Sequence, residues 1–491
     1  MRVDYSLLGP ELVITAAACL ILLLDLALRG SLRVISAYIA VGSVVVAGIL
    51  AANKLATPDE TTLGGMFVLD QFSVVMKIVF LAVALFVLWL SIPPLRGHRY
   101  EGEFYFLLLC SVLGTLLMPS SRDLLTLFIA LELVSAPAFV MAGLRKLNPR
   151  SNEAALKFFL FGVLSAGIFV YGISLVYGAA GTTNLARIAT AVNPTASDPQ
   201  PMLLIGIVFV VAAFGFKVSA VPFHFWAPDT YEGSPTPLAA YLSVGSKAAG
   251  FVGLLLILSA SFSRLQHFWG PVVGAIAIAT MTIGNVVALR QRHLVRLLAY
   301  SSIGHAGYML IPIALIRPHG GVLGTTNARL VQSLVIYLIG YAVMNLGAFA
   351  VAIGVSKQYP TLLVRDLAGF GRRAPVPALA MAAFFISLGG IPPFLGWFAK
   401  FAVFLAAIRV GSVLGVVLAV MMVVNSVISL YYYIGVVRTM FLQDAEDGAA
   451  VSFPRPISAA VATAMTGVIV LGVYPEPVAK VAALARLAIG L

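Results

Sequence analysis

Charge is scarce in this chain: Asp, Glu, Lys and Arg together make up 10% of 491 residues. A soluble domain carries about 25%. Cysteine is scarcer still, with Cys19 and Cys110 alone, each inside an apolar segment. That excludes a disulfide framework and any paired-cysteine metal or redox site. No ligand set for a redox cofactor or a metal is visible. The basic residues form no run or stripe of the kind that follows nucleic-acid phosphates. Long polar stretches are missing too, the longest being 182–201 and 356–374. What abounds is apolar: 61% of the residues are hydrophobic, and the mean hydropathy is +1.02. Such a chain has too few polar side chains to cover a soluble surface. Composition therefore excludes a soluble enzyme, a disordered protein and a nucleic-acid binder, and leaves an all-α polytopic membrane protein.

A spanning helix needs about 20 apolar residues. Runs centred on 11–28, 34–52, 70–92, 103–119, 123–144, 154–177, 202–221, 235–259, 268–289, 294–315, 328–355, 375–408, 414–438 and 457–474 predict about fourteen spans. The long 375–408 stretch leaves room for one helix more or fewer. Residues 184–193 read either as a small interfacial helix or as a plain loop. The amino end has Asp4 and Glu11, one basic residue and no small-residue cleavage site, so the first helix is expected to stay.

The net charge of +12 is unevenly placed. Loops after odd-numbered spans hold Arg29 and Arg33, Arg96 and Arg99, and Arg145, Lys146 and Arg150. They continue with Arg290, Arg292 and Arg296, then Lys357, Arg365, Arg372 and Arg373, then Arg438 and Arg455. The opposite loops hold mostly one basic residue each, such as Lys54, Arg122, Arg187, Arg264 and Arg409. Lys and Arg collect on the cytoplasmic side, which places odd loops in the cytoplasm and both termini outside. One odd loop departs: the segment after the seventh span carries Asp229 and Glu232 and no Lys or Arg.

Ionisable groups inside spans are expensive and need a reason. Glu132 in LFIALELVSAP, Lys217 in AAFGFKVSAVPFHFW, Lys247 in YLSVGSKAAGF and Lys400 in GGIPPFLGWFAKFAVF stand out. Snorkelling explains a lysine near a helix end, and a static ion pair explains a buried glutamate. Pro222 follows Lys217, and Gly389, Gly390, Pro392 and Pro393 precede Lys400, so two lysines sit beside two helix breaks. Broken membrane helices persist only where protein or water satisfies the freed backbone groups, and paired breaks suggest internal repeats of the transporter kind. His224, after the first break, and His305, in AYSSIGHAGYM, are read either as proton-relay groups or as satisfied hydrogen-bonding residues. Glu153 and Lys157 have the spacing of a local i,i+4 pair. Asp25, Lys77, His98, His267, His293 and His319 lie near span ends or in loops and are assigned no role.

Four blocks carry a resemblance. EAALKFFLFGVLSAGIFVYGISLVYG, FKVSAVPFHFWAPDTYEGSPTPLAAYLSVGSKAAGF, LLAYSSIGHAGYM and GGIPPFLGWFAKFAVF resemble the antiporter-like subunits of respiratory complex I and the related multisubunit cation/proton antiporters. The amino-terminal PELVITAAACLILLLDL resembles the subunit N branch of bacterial NADH–quinone oxidoreductases, as does lysine rather than glutamate at 400. The chain also stops after the fourteenth span, without the carboxyl-terminal extension of subunit L. The resemblance implies two inverted repeats, helices 4–8 and 9–13, each with a broken helix, here the seventh and twelfth. The chain then divides into 1–100, a first repeat over 101–262, a second over 263–445, and 446–491. It implies functional roles for Glu132, Lys217, Lys247 and Lys400. The family often has Thr where Phe394 stands, which removes one polar partner near the second break. It implies that NADH, FMN, iron–sulfur clusters and quinone belong to partner subunits, with no cofactor and no metal in this chain. The partners implied are subunit M, small subunits such as K and J, and the lipid of a bacterial inner membrane.

Burial favours the neutral form of a lysine by up to about three to five pKa units, and a nearby carboxylate restores the charge. Glu132 beside Lys217 would then work as a switch that loads and releases a proton. The path expected runs from the cytoplasm to Lys217, laterally by Lys247 and His305, and outward from Lys400. The alternatives are a gradient-driven sodium/proton antiporter, which needs acidic oxygen ligands within the spans, and a structural scaffold whose lysines are packing charges.

Overall fold

A computed structural model describes residues 4–27, 30–56, 59–191, 201–318, 324–444 and 452–487. Arg29, Asn193 and His319 fall outside them. The helices are α1 (Gly9–Ala27), α2 (Val34–Ala52), α3 (Gln71–Leu95), α4 (Glu101–Leu117), α5 (Leu124–Ala142), α6 (Pro149–Ala180), α7 (Leu185–Ala191), α8 (Pro201–Lys217), α9 (Trp226–Gly233) and α10 (Thr236–Tyr241). They continue as α11 (Lys247–Ala260), α12 (Gln266–Ala288), α13 (Leu294–Ala314), α14 (Gly324–Ser356), α15 (Phe370–Arg373), α16 (Pro375–Gly389), α17 (Leu395–Arg409), α18 (Val413–Leu442), α19 (Arg455–Val473) and α20 (Glu476–Leu484). A short antiparallel hairpin, β1 (Glu60–Thr62) with β2 (Phe67–Leu69), lies between α2 and α3.

Among the described residues, 12 helices are long and apolar enough to cross a membrane. The pairs α8–α9 and α16–α17 are two further spans, each interrupted, so the 375–408 stretch is one broken span. The interfacial segment is the helix α7 rather than a loop. Helix starts follow local chemistry. Asp70 accepts from Ser73 N–H at 2.7 Å while Ser73 Oγ accepts from Asp70 N–H at 3.0 Å, a reciprocal cap that begins α3. Asp123, Asn148 and Ser412 cap α5, α6 and α18 in the same way, by one side-chain oxygen each.

The packing is inverted relative to a soluble protein. Leu23, Leu26, Leu164, Val427 and Tyr431 on α1, α6 and α18 are exposed, as lipid-facing residues are. The interior holds the α10–α11 span, α13 and α14, whose most apolar stretches are 100%, 94% and 89% buried. Polar groups on those three therefore meet protein rather than lipid.

Contacts between loops sort the helix ends onto two faces. On one, Arg33 bonds to the Arg99 carbonyl, and Arg96, Lys357 and Pro454 line one cavity. His293 there pairs with Leu363, and Arg296 meets Asp229 and Glu232 at 2.6 and 3.1 Å. On the other face, Arg122 N–H donates to Met66 O at 2.8 Å and Leu124 N–H to Thr183 O at 2.9 Å. Gln266 Nε2 donates to Ala314 O at 3.1 Å, and Arg317 to Val410 O at 2.7 Å. These are the odd and even loops respectively, so the charge alternation reflects two real faces. The departure at Asp229 and Glu232 has a physical cause. Lys157 Nζ lies 2.7 Å from Asp229 and 2.6 Å from Glu153, and Arg150 lies 4.0 Å from Glu232. These carboxylates are partners of the basic residues on that face. His293, assigned no role, caps α13 by accepting from Arg296 N–H.

Candidate functional site

The first break follows Lys217, where α8 ends. Phe216 O accepts from the Trp226 indole at 3.1 Å, and Val221 N–H donates to Thr280 Oγ1 at 3.0 Å. Protein groups thus satisfy backbone that has left the helix, as an interruption inside a membrane requires. Lys217 is buried, and its ammonium donates to Ser135 Oγ on α5 at 2.8 Å. Ser135 commits its own proton to Leu131 O at 2.7 Å, so its oxygen faces the lysine as an acceptor. A Cβ on Gly250 would lie 2.9 Å from Lys217 Cγ. The lysine stem therefore runs across α11 one turn from Lys247.

Lys247 begins α11, directly after a five-residue π turn, Leu242–Ser246. Such turns are frequent at functional sites. The hydroxyl of Ser243 within it accepts from Asn345 Nδ2 at 2.7 Å. Lys247 repeats the device seen at Lys217. Its ammonium donates to Ser302 Oγ at 2.6 Å, and Ser302 donates to Ala299 O at 2.8 Å.

From Ser302 the polar groups follow α13. Ser301, His305 and Tyr308 are spaced i, i+4 and i+7, which puts them on one face. His305 Nδ1 lies 2.8 Å from Tyr337 Oη, and Nε2 lies 3.2 Å from Tyr433 Oη. Tyr433 Oη lies 2.5 Å from Ser301 Oγ. At the far end the Lys400 ammonium sits 5.0 Å from the centre of the Tyr308 ring.

Lys400 reaches back across the second break and donates to Gly389 O, the last residue of α16, at 2.9 Å. A cation at a helix carboxyl terminus is electrostatically favoured, so the half-helix holds this charge without a carboxylate. Gly390 turns the chain with φ of 88°, and Gly396 N–H donates to Ser387 Oγ at 3.0 Å. Lys217, Lys247, His305 and Lys400 thus lie along one buried polar line through the middle of the protein.

Glu132 was expected beside Lys217. It is half-buried and near enough to Lys217 for the two charges to interact, but among the described residues it makes no ion pair within 4.0 Å. The reason is helical geometry. Ser135, three residues on, is rotated by about 60° around α5 and takes the inward position. Lys77 was assigned no role near a span end. It is fully buried in α3, 2.7 Å from Glu11 on α1 and 4.5 Å from the Phe67 ring centre. It is a paired structural charge. His224 is buried against Phe225, and its Nδ1 has no hydrogen-bond partner among the described residues. The Lys247 charge acts on its ring.

The contrast with Lys77 is informative. Lys77, fully buried in its span, has a carboxylate at contact, while Lys217, Lys247 and Lys400 have oxygen acceptors of hydroxyl or carbonyl type instead. Serine, tyrosine and histidine groups of α13 lie between the last two. Broken helices, mid-membrane lysines and an interior polar line define a polytopic ion-path subunit.

The chain belongs to the NADH:quinone oxidoreductase/Mrp antiporter membrane family, whose sequence pattern matches residues 121–429, and within it to the subunit N branch. It is 36% identical to NADH-quinone oxidoreductase subunit N of Trichlorobacter lovleyi over 98% of this chain and 96% of that one. It is 37% identical to F(420)H(2) dehydrogenase subunit N of Methanosarcina mazei, with 97% of each chain covered. Its fold matches a chain of respiratory complex I from Thermus thermophilus with a TM-score of 0.79 at 30% identity, covering 96% of this chain and 99% of that one.

Proposed function

We propose that this chain moves protons across the membrane as a membrane-arm subunit of an NADH–quinone oxidoreductase, with Lys217, Lys247, His305 and Lys400 as the exchanging groups. The observation that carries the reading is the set of three buried lysines without a carboxylate at contact, joined to oxygen acceptors along one interior line. A lysine with a fixed carboxylate partner holds its charge. A lysine held by neutral oxygens is poised between charge states, because burial disfavours the ammonium and the acceptors favour it. The similar identity to subunits from NADH and F(420)H(2) complexes supports a role separate from the electron donor.

Electron transfer, with NADH, FMN, iron–sulfur clusters and quinone, belongs in this reading to partner chains, so the chain is part of a translocase without its own redox centre. The partners are the antiporter-like subunit M and small subunits such as K and J. The two broken spans support a division into repeats over 101–262 and 263–445, flanked by 1–100 and 446–491. The basic face is cytoplasmic and both termini are outside a bacterial inner membrane. Protons then enter toward Lys217, pass Lys247 and His305, and leave by Lys400. Glu132 borders this path on the half-buried face of α5, where a neighbouring subunit can move its charge, and His224 lines the first break.

Two tests follow from this arrangement. In a cysteine-free background, a cysteine at Lys146 is expected to react with an impermeant maleimide in inside-out vesicles and to stay unlabelled in intact cells. Labelling in intact cells would reverse the orientation. Glu132→Gln is expected to leave assembly intact and to lower proton translocation and the coupled quinone reduction about tenfold, the effect of about 1.4 kcal/mol on a barrier. Unchanged translocation in a fully assembled complex would remove Glu132 from the mechanism.

A further inference from the structure

Asn285 lies near the carboxyl end of α12 and is fully buried. A polar side chain at membrane depth needs partners, and both polar atoms of this amide have them. Nδ2 donates to Tyr308 Oη on α13 at 3.0 Å and to the Asn425 carbonyl on α18 at 3.3 Å. Oδ1 accepts from Tyr432 Oη on α18 at 3.0 Å. These partners admit one orientation of the amide. Turned over, its oxygen would face the Asn425 carbonyl, which cannot donate. Tyr308 therefore accepts from Asn285, and its own proton is left for Ser426 of α18, with which it also interacts.

The backbone around this amide is closely held. A Cβ on Gly284 would lie 2.5 Å from Gly304 N, and one on Gly307 would lie 2.5 Å from Met281 N. Helices α12 and α13 meet backbone to backbone, as small residues allow between membrane helices. The hydroxyl end of Tyr308 is fixed by Asn285, and its ring is what Lys400 meets, with the ammonium 5.0 Å from the ring centre. That ring and the Gly389 carbonyl at 2.9 Å are the partners of the charged lysine.

We propose that Asn285 is a positioning residue for proton exchange at Lys400: by anchoring the Tyr308 hydroxyl it keeps the aromatic ring against the ammonium. The inference rests on Lys400 as an exchanging group. The same amide holds Tyr432, whose ring centre lies 4.3 Å from that of Tyr433, the partner of His305 Nε2. Asn285 is neutral, so it acts through position and not through its own charge.

The titratable groups near Lys400 are Tyr308 and His305 on α13, Tyr337 and Tyr341 of α14 beside that histidine, and Tyr433 of α18. Helix α16 carries none, α19 carries only Arg455 at its first position, and α17 itself adds Arg409 at its far end. Among the described residues no carboxylate lies within 4.0 Å of the ammonium. No other charge therefore makes good the loss of the ring. An aromatic face favours the ammonium over the amine. Without it the amine form takes over at lower pH, so loading of Lys400 fails earlier as pH rises.

The test is the pH profile of proton translocation by the whole complex in vesicles, with complex content matched by blotting. Asn285→Leu is expected to move the alkaline limb about one pH unit lower, so that translocation there falls about tenfold. Tyr308→Phe keeps the ring, removes the anchored hydroxyl and is expected to give the same shift, which decides the matter should Asn285→Leu fail to assemble. The double variant should shift no further, because both changes break one contact. An unmoved limb, with the rate lowered equally at every pH, would reduce Asn285 to a packing residue and overturn the proposal. Shifts that add in the double variant would also overturn it. Lys400→Arg is measured alongside. If it blocks translocation while the limb of Asn285→Leu stays in place, only the role of Asn285 falls. If it translocates normally, the exchange at Lys400 falls, and the role of Asn285 with it.

Discussion

Lys247→Arg is expected to assemble into the complex at normal levels and to translocate protons at no more than a few per cent of the unaltered rate. Arginine keeps the positive charge, and its guanidinium can donate to Ser302 Oγ, which accepts from Lys247 at 2.6 Å. A structural counter-charge would therefore be replaced with little loss. Proton release is another matter. The ordinary pKa of arginine lies at least about two units above that of lysine, so its deprotonated fraction is about a hundredfold smaller. Lys247 is the informative position because the α10–α11 span is wholly interior, which excludes snorkelling to either face. The measurement is proton translocation in vesicles with complex content matched by blotting. Translocation near the normal rate would show that Lys247 holds charge without exchanging a proton. Lys247→Met serves as the companion variant. If the lysine were only a packing charge, that change would remove a costly buried cation at little harm to translocation.

The spans and the lysines were legible because lipid imposes simple rules. About twenty apolar residues make a helix, and a charge among them needs a cause. Proline and glycine beside Lys217 and Lys400 marked both breaks for the same reason. What the sequence left hidden was direction. Glu132 and Ser135 lie on one helix, and only rotation around its axis decides which of them meets Lys217. Charge alone favoured the glutamate, and packing favoured the serine. Ser301, Ser302, His305 and Tyr308 were all visible in AYSSIGHAGYM, and their spacing on one face of an otherwise apolar helix was the signal for the polar line. Tyr337 and Tyr433, which flank His305, come from distant helices, and no local pattern announces them. Lys77 was misread because its partner, Glu11, is far away in sequence on α1. Asp229 and Glu232 belong to the basic face for a similar reason, since their partners sit on α6 and α13.

Lys400 separates relay from structure most sharply. The sequence offers no acidic residue in its span, which made Lys400→Ala the natural test of whether its charge is needed. The structure changes that reading, because the ammonium caps Gly389 O at the end of α16. Removing it costs one charged hydrogen bond, about 1.5–3 kcal/mol, and leaves a cavity beside Tyr308. Lys400→Ala is therefore expected to lower assembly as well as translocation, and it does not divide the two readings on its own. Lys400→Arg does. Its guanidinium can donate to the same carbonyl and keep the half-helix end neutralised, so assembly is expected to be close to normal. It cannot readily give up a proton, so translocation per assembled complex is expected to fall by about two orders of magnitude. If proton release to the outside passes through Lys400, electron transfer should slow with it, since a blocked exit holds the coupled cycle. Normal translocation with Lys400→Arg would reduce the lysine to a cap on a broken helix, and the outward path would then have to leave the line at Tyr308 or Tyr433.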